Sequence, residues 1–276
     1  MAAEISFAVE TADGSRTLSV HYERRGSGEP LLLLHGIGHH WQAWEPVMDI
    51  LATERDVVAV DLPGFGASPA LPDGVPYSLG TVCAALSAFC AAIGIERPHV
   101  AGNSLGGLLA LELGRDKLVR SVTALSPGGF WSRSERVYAF GLLRAMRVGA
   151  RSMPTPMVER LSRSVVGRAA LVSTIYARPA RRSPEAAVAE TCALREAAGF
   201  HRTLAAGREV LFTDDVRGIP VTIGWGAKDR LLLRRQGVRA KQVVPGARLV
   251  RLPGCGHVPM SDDPALVARL LLDGSR

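Results

Sequence analysis

A chain of 276 residues, 47% hydrophobic and 21% charged, can bury a substantial core as one large domain with an insertion or as two small ones. It has no apolar run near the roughly 20 residues of a membrane span, and residues 1–16 carry Glu4, Glu10 and Asp13 where a signal peptide is basic and then apolar, so a cytoplasmic location without a membrane partner is expected. The net charge of +7 is arginine spread along the chain, with lysine only at 117, 228 and 241, which argues against a nucleic-acid partner.

In chain order, residues 5–10 and 17–25 alternate apolar and polar positions around Asp13-Gly14, predicting a hairpin at a sheet edge. Residues 30–34, Pro-Leu-Leu-Leu-Leu, form a continuous apolar run, the signature of a strand buried on both faces. A helical stretch over 41–51 follows, and residues 56–61 repeat the buried-strand pattern. The spacing of Leu79, Val82, Cys83, Leu86, Phe89, Cys90 and Ile93 predicts a helix over 78–93, capped by Ser78 and stopped by Gly94. Cys83 and Cys90 share one face of it and are expected to pack as small hydrophobes. None of the four cysteines, Cys192 and Cys255 included, has the paired spacing of a zinc site or disulfide framework.

A short strand over 98–101 leads into Gly102-Asn103-Ser104-Leu105-Gly106, a helix over 105–115 follows, and residues 119–125 read as a strand. From 130 to 217 the alternation breaks into what reads as several short helices, each run stopped by Pro154, Pro156, Pro179 or Pro184. It resumes with a strand over 219–225, a helix within 231–244, a strand over 248–252 and a helix over 264–272 with Pro264 at its first position. The expected fold class is therefore α/β, a mostly parallel central sheet flanked by helices, with a core of residues 1–129 and 218–276 and a helical lid inserted at 130–217.

The sequence Gly-x-Ser-x-Gly at 102–106 reads as a nucleophile elbow, a serine on a sharp strand-to-helix turn. A serine hydroxyl needs a general base, and His257, in a loop between a predicted strand and the last helix, lies at the carboxyl edge of the sheet. The acid that orients it is assigned to Asp229. Asp214 and Asp215 read as solvated turn residues, and the other usual position, after the strand ending near Leu125, holds Ser126-Pro127-Gly128-Gly129. The oxyanion donors are assigned to the backbone N–H groups of Leu105 and Ile37. His35 is expected to be a structural hydrogen-bonding residue.

These segments, His35-Gly36-Ile37-Gly38, Asp61-Leu62-Pro63-Gly64-Phe65-Gly66-Ala67-Ser68, Gly102 to Gly107, Gly226-Ala227-Lys228-Asp229 and Gly256-His257, resemble in order those of the α/β-hydrolase superfamily. The resemblance implies a serine hydrolase with a helical cap, acting on a small molecule with no metal or organic cofactor. It leaves the oligomeric state open. The segment at 61–68 reads as a structural turn. Serine at the elbow argues against haloalkane dehalogenases and epoxide hydrolases, which place aspartate there. Carbon–carbon bond hydrolases are similar at the elbow, but Val258 stands where they usually have tryptophan, and Ile37-Gly38-His39-His40 replaces their glycine-rich oxyanion loop.

Hydrolysis of a small or medium carboxylic ester or lactone through an acyl-enzyme is the leading expectation. Carbon–carbon cleavage of a diketone-type substrate and a ligand-binding receptor on a hydrolase scaffold are the alternatives. His39, Trp131 and Val258 are assigned to the substrate pocket, with surface placement the alternative for His39 and His40. Trp131, Tyr138 and Phe140 either line an apolar pocket or form the core of the lid. The lid arginines are expected on solvated helix faces, with reception of an anionic substrate as the alternative.

Overall fold

The computed structural model describes residues 2–11 and 14–276. Its centre is an eight-stranded sheet in the order β1-β2-β4-β3-β5-β6-β7-β8. The edge hairpin pairs β1 (Ala2–Thr11) with β2 (Gly14–Arg25) antiparallel, with Phe7 opposite Leu18 on the buried side. Asp13, the expected turn residue, lies outside the described residues. From β2 the sheet passes antiparallel to β4 (Arg55–Val60), and the remaining strands are parallel: β3 (Glu29–Leu34), β5 (His99–Asn103), β6 (Ser121–Leu125), β7 (Val221–Gly226) and β8 (Arg248–Leu252). Leu31 to Leu34 and Val57 to Val60 are buried on both faces, which is why these strands carry no apolar–polar alternation.

The connections are helical. A 3-10 turn at Trp41–Trp44 runs into α1 (Glu45–Leu51), and α2 (Leu79–Ala92) follows with the Ser78 hydroxyl accepting Thr81 N–H at 3.1 Å. Gly94, at φ +73°, ends it in the left-handed region that glycine enters without a side-chain clash. Cys83 and Cys90 are buried on this helix, and burial pushes both thiols up to about 12. Helix α3 (Leu105–Arg115) is buried nearly all round.

Between β6 and β7 every regular element is helical: α4 (Arg133–Ser152), α5 (Thr155–Ser162), α6 (Val165–Val172), α7 (Pro184–Glu196) and α8 (Phe200–Ala206), with 3-10 turns at Pro179–Arg181 and Gly207–Glu209. Two expectations are corrected here. The first helix is not short but spans 20 residues, opened by a capping box in which Ser132 N–H donates to Glu135 and Glu135 N–H to the Ser132 hydroxyl. The prolines open helices more than they stop them: Pro156, Pro179 and Pro184 sit in first turns, where the missing N–H would lack an intrahelical partner anyway. The chain closes with α9 (Arg235–Val243), α10 (Pro259–Asp262) and α11 (Pro264–Gly274). Helix α10, a single turn that begins two residues after His257, is not foreshadowed in the sequence pattern.

From β3 the chain steps to β4 on one side, crosses back to β5 on the other, and continues outward to β8. The carboxyl ends of β3 and β5 therefore flank a topological switch point, the place where open α/β sheets leave a crevice. Residues 35–38 leave β3 there and Ser104 leaves β5.

Candidate active site

Ser104 has φ +57° and ψ −112°, a conformation that costs an L-residue of order 1–3 kcal/mol and persists only where its surroundings enforce it. Two glycines make the turn possible. A Cβ on Gly102 would sit 2.0 Å from Gly106 O, and one on Gly106 would sit 2.1 Å from Leu34 O, so backbone fills both positions. Ser104 N–H donates to Leu125 O at 2.9 Å, pinning the elbow to β6, and the serine stands at the N-terminus of α3. Leu105, the first residue of that helix, has an N–H with no intrahelical acceptor to reach.

His257 lies on the loop after β8, and its Nδ1 is 2.9 Å from Asp229 Oδ2, both side chains being almost fully buried. Because a carboxylate only accepts, His257 Nδ1–H donates and Nε2 carries the lone pair. The other carboxylate oxygen, Oδ1, accepts Leu231 N–H at 2.9 Å and Leu232 N–H at 2.8 Å, so Asp229 is fixed before it orients the ring. Asn103 Nδ2 donates to His257 O at 2.8 Å and to Leu125 O at 3.1 Å, tying the elbow to the histidine loop. Sequence reasoning passed over this asparagine, although the residue before an elbow serine is a natural place for such a tie.

A second missed residue is Asp262, on α10. Its carboxylate accepts Gly256 N–H at 2.7 Å, Ala177 N–H at 3.0 Å and Arg178 N–H at 2.6 Å, joining the histidine loop to the helical segment. No signal in the sequence marks it, because its partners are backbone groups, two of them far upstream.

His35 is fully buried; Leu62 N–H donates to its Nε2 at 3.0 Å, so its Nδ1–H donates to Gly36 O at 2.7 Å. Burial lowers it to about 4, as fits the structural role expected of it. The turn at 61–68 is structural in the same sense: Asp61 accepts Trp41 N–H at 2.6 Å and Ala67 N–H at 2.8 Å, and the Ser68 hydroxyl donates to Asp61 O at 2.7 Å.

Two cavities meet at Ser104. The smaller, about 180 Å³, is lined by His257, His39, Asn103, Glu190 and Val258 among others. The larger, about 460 Å³, is lined by Leu105, Leu108, Trp131, Phe140 and Leu204 among others, and Ile37, Ser104, Leu143 and Leu231 line both. The structure thus places Ser104, Ile37, Leu105, His257 and the residues assigned to substrate, His39, Trp131 and Val258, around one bipartite space, with Asp229 buried behind His257.

Of the two placements open for His39 and His40, the surface is excluded: both are buried beneath the helical segment, His39 lining the smaller cavity, and a Cβ on the neighbouring Gly38 would meet Leu194 Cδ1 at 2.5 Å. Burial, first, and then the neighbouring His40, His35, Arg182 and His257 hold His39 well below the usual histidine value, so its ring is neutral. Arg147 and Arg182 are not solvated: Arg147 lies over the Phe200 ring and donates to Leu194 O, and Arg182 pairs with Glu190. Tyr138 lines neither cavity but is exposed, its hydroxyl donating to Arg230 O at 2.8 Å.

Residues 31–270 match the alpha/beta hydrolase family, and the chain belongs to that family. An uncharacterized protein of Mycobacterium tuberculosis is 31% identical over 272 residues, covering 90% of this chain and 76% of that protein. The pimeloyl-[acyl-carrier protein] methyl ester esterase of Aeromonas hydrophila is 41% identical over 121 residues, 43% of this chain and 46% of that enzyme. A thermophilic esterase from Thermogutta terrifontis has a similar fold, with a TM-score of 0.77 at 18% identity over 98% of this chain and 97% of its own. Among the described residues no helix is long and apolar enough to cross a membrane.

Proposed function

We propose that this hydrolase cleaves carboxylic esters or lactones through an acyl-enzyme on Ser104, the helical segment at 130–217 acting as a cap over the site. The observation that carries this reading is the buried Asp229–His257 pair, with Nδ1 of the histidine committed to the carboxylate, opening on the cavity that Ser104 lines. In that tautomer His257 Nε2 takes the serine proton as Oγ attacks the carbonyl carbon, and Asp229 stabilises the imidazolium. The developing oxyanion accepts hydrogen bonds from Leu105 N–H, at the positive end of α3, and from Ile37 N–H on the loop after β3. His257 then returns the proton to the departing alcohol, and in the second half-reaction activates the water that releases the acid.

The same reading assigns sides to the cavity. His257 lines only the smaller chamber, so the alcohol it protonates leaves there. Leu105 lines only the larger, apolar chamber, which receives the acyl chain. The experiment is turnover of a panel of acyl esters and lactones, with active-site labelling by a fluorophosphonate. Ser104→Ala is expected to abolish both. Turnover that survives in clean Ser104→Ala protein removes the serine from the mechanism.

A further inference from the structure

One helix forms a wall of both chambers. Ala139 and Phe140 of α4 line the larger, Met146, Ala150 and Met153 line the smaller, and Leu143, like Ser104, lines both. These positions recur at helical spacing, so one face of α4 looks into the whole bipartite space. At 1.5 Å per residue the stretch from Ala139 to Met153 is about 21 Å long. The chambers are therefore arranged along the axis of α4, to either side of the nucleophile, and a substrate that fills them extends along this helix in both directions from its scissile bond. A buried alanine stands in each arm, Ala139 in one and Ala150 in the other, and its short side chain leaves room that a longer one would take.

The chemistry of the smaller chamber decides what its arm can hold. Beyond α4 its wall includes Leu171, Leu194 and Val258. Several of its polar side chains are engaged within the protein: both amide hydrogens of Asn103 go to carbonyl oxygens, the Thr191 hydroxyl donates to Ala187 O at 2.8 Å, and the Glu190 carboxylate accepts the Tyr176 hydroxyl and pairs with Arg182. A charged or hydroxylated alcohol exchanges water for a wall that is mostly hydrocarbon, whereas an apolar alcohol gains by the same transfer. Volume sets the scale. An apolar cavity of about 150 Å³ holds one benzene, so the smaller chamber, at about 180 Å³, takes one ring or a chain of about six carbons. The larger, at about 460 Å³, has room for a longer acyl chain.

Resting on the ester-hydrolase reading above, we propose that the preferred substrates are esters apolar on both sides of the scissile bond, with a benzyl-sized alcohol in the smaller chamber and a medium-length acyl chain in the larger. Ala150 and Ala139 are then specificity-determining residues, the first setting the size of the alcohol and the second the length of the acyl chain. A methyl ester leaves the smaller chamber unfilled, and a hydroxylated or cationic alcohol loses its hydration there, so both kinds of ester are poor substrates.

The test uses two series of esters. Butanoates of methanol, ethylene glycol, choline and benzyl alcohol vary the alcohol, and methyl acetate, butanoate and octanoate vary the acyl chain. For the wild-type protein kcat/KM is expected to be roughly tenfold or more higher for the benzyl ester than for the other butanoates, and for octanoate than for acetate, the scale of burying several methylene groups. In Ala150→Leu the benzyl-to-methyl ratio is expected to fall roughly fivefold or more while the octanoate-to-acetate ratio stays within about twofold, and in Ala139→Leu the pattern is reversed. The wild-type series decide the substrate class by themselves should a variant fail to fold. Equal rates, or a preference for the methyl, glycol or choline ester, overturn the proposal while leaving the ester-hydrolase reading intact. Effects exchanged between the two variants overturn the assignment of the chambers, and ratios unchanged in both folded variants overturn the role of α4. Absence of turnover on every ester, together with absence of fluorophosphonate labelling, overturns both readings.

Discussion

Replacing Asp262 by asparagine tests the bond between the histidine loop and the helical segment. In the native chain Oδ2 accepts Gly256 N–H and Ala177 N–H, and Oδ1 accepts Arg178 N–H. An asparagine can place its carbonyl oxygen at the Oδ2 position and keep two of these bonds, each weakened by about 1 kcal/mol as it changes from charged to neutral. Its amide nitrogen then faces Arg178 N–H, donor against donor, leaving a buried group unsatisfied at a cost of about 2 kcal/mol. The sum is about 4 kcal/mol. For 276 residues at ~2.1 cal/mol/K per residue, 1 kcal/mol corresponds to roughly 1.7 °C, so Tm is expected to fall by about 7 °C, with a matching drop in the urea midpoint. Calorimetry of the two proteins at pH 7 is the assay. A folded Asp262→Asn protein with Tm within about 1 °C of wild type would show that these three bonds do not hold the loop.

Asp229→Asn keeps an acceptor for Leu231 and Leu232 N–H but turns an amide toward His257 Nδ1, selecting the wrong tautomer; kcat on a hydrolysed ester is expected to drop roughly a thousandfold or more with Tm little changed, and a near-normal rate would move the acid elsewhere. His35, lowered by burial to about 4 from 6.5, stays neutral in the folded protein where the unfolded chain takes up a proton. Its contribution is therefore complete above pH 6.5 and is lost as pH falls toward 4, about 3 kcal/mol over that window. A histidine-ring NMR titration should find His35 neutral at pH 5.5, and a protonated ring there contradicts the buried hydrogen-bond pattern. Gly106→Ala puts a Cβ 2.1 Å from Leu34 O, a backbone atom, and is expected to yield insoluble protein or a loss of more than about 3 kcal/mol, read by soluble yield and urea unfolding.

Those features that depend on local backbone demands or on chain order were legible in the sequence. The elbow announces itself because only glycine fits at 102 and 106, and Asp229 and His257 were reachable because loops after successive parallel strands emerge at one sheet edge. Long-range packing of polar side chains was not legible. An arginine looks the same in the sequence whether it faces water or packs inside the helical segment, so nothing there distinguishes Arg147 and Arg182, held by Phe200 and Glu190, from solvated ones. For His39 and His40 the sequence leaves pocket and surface both open for the same reason: a polar pair after a strand shows nothing of what covers it. The prolines misled differently, since a proline both ends one run and suits the first turn of the next, and only the flanking geometry decides which role a position has.

The histidine loop is held from two directions, and this constrains how substrate reaches Ser104. On the sheet side Asn103 binds His257 O; on the helical side Val258 N–H donates to Ile175 O at 3.0 Å and Asp262 gathers Gly256, Ala177 and Arg178. Arg182 adds its contact to Ser261 on the same one-turn helix. Displacing the stretch from 175 to 182 would strip donors from a loop whose histidine must stay aligned with Asp229, so a hinge placed there would disable the site as it opened. Helices α5 and α6 carry Met157, Val165 and Val166 exposed and form none of these bonds. On the ester-hydrolase reading, movement confined to α5 and α6 leaves these bonds intact, whereas the stretch at 175–182 is bonded both to the histidine loop and, through Tyr176 and Arg182 on Glu190, to α7.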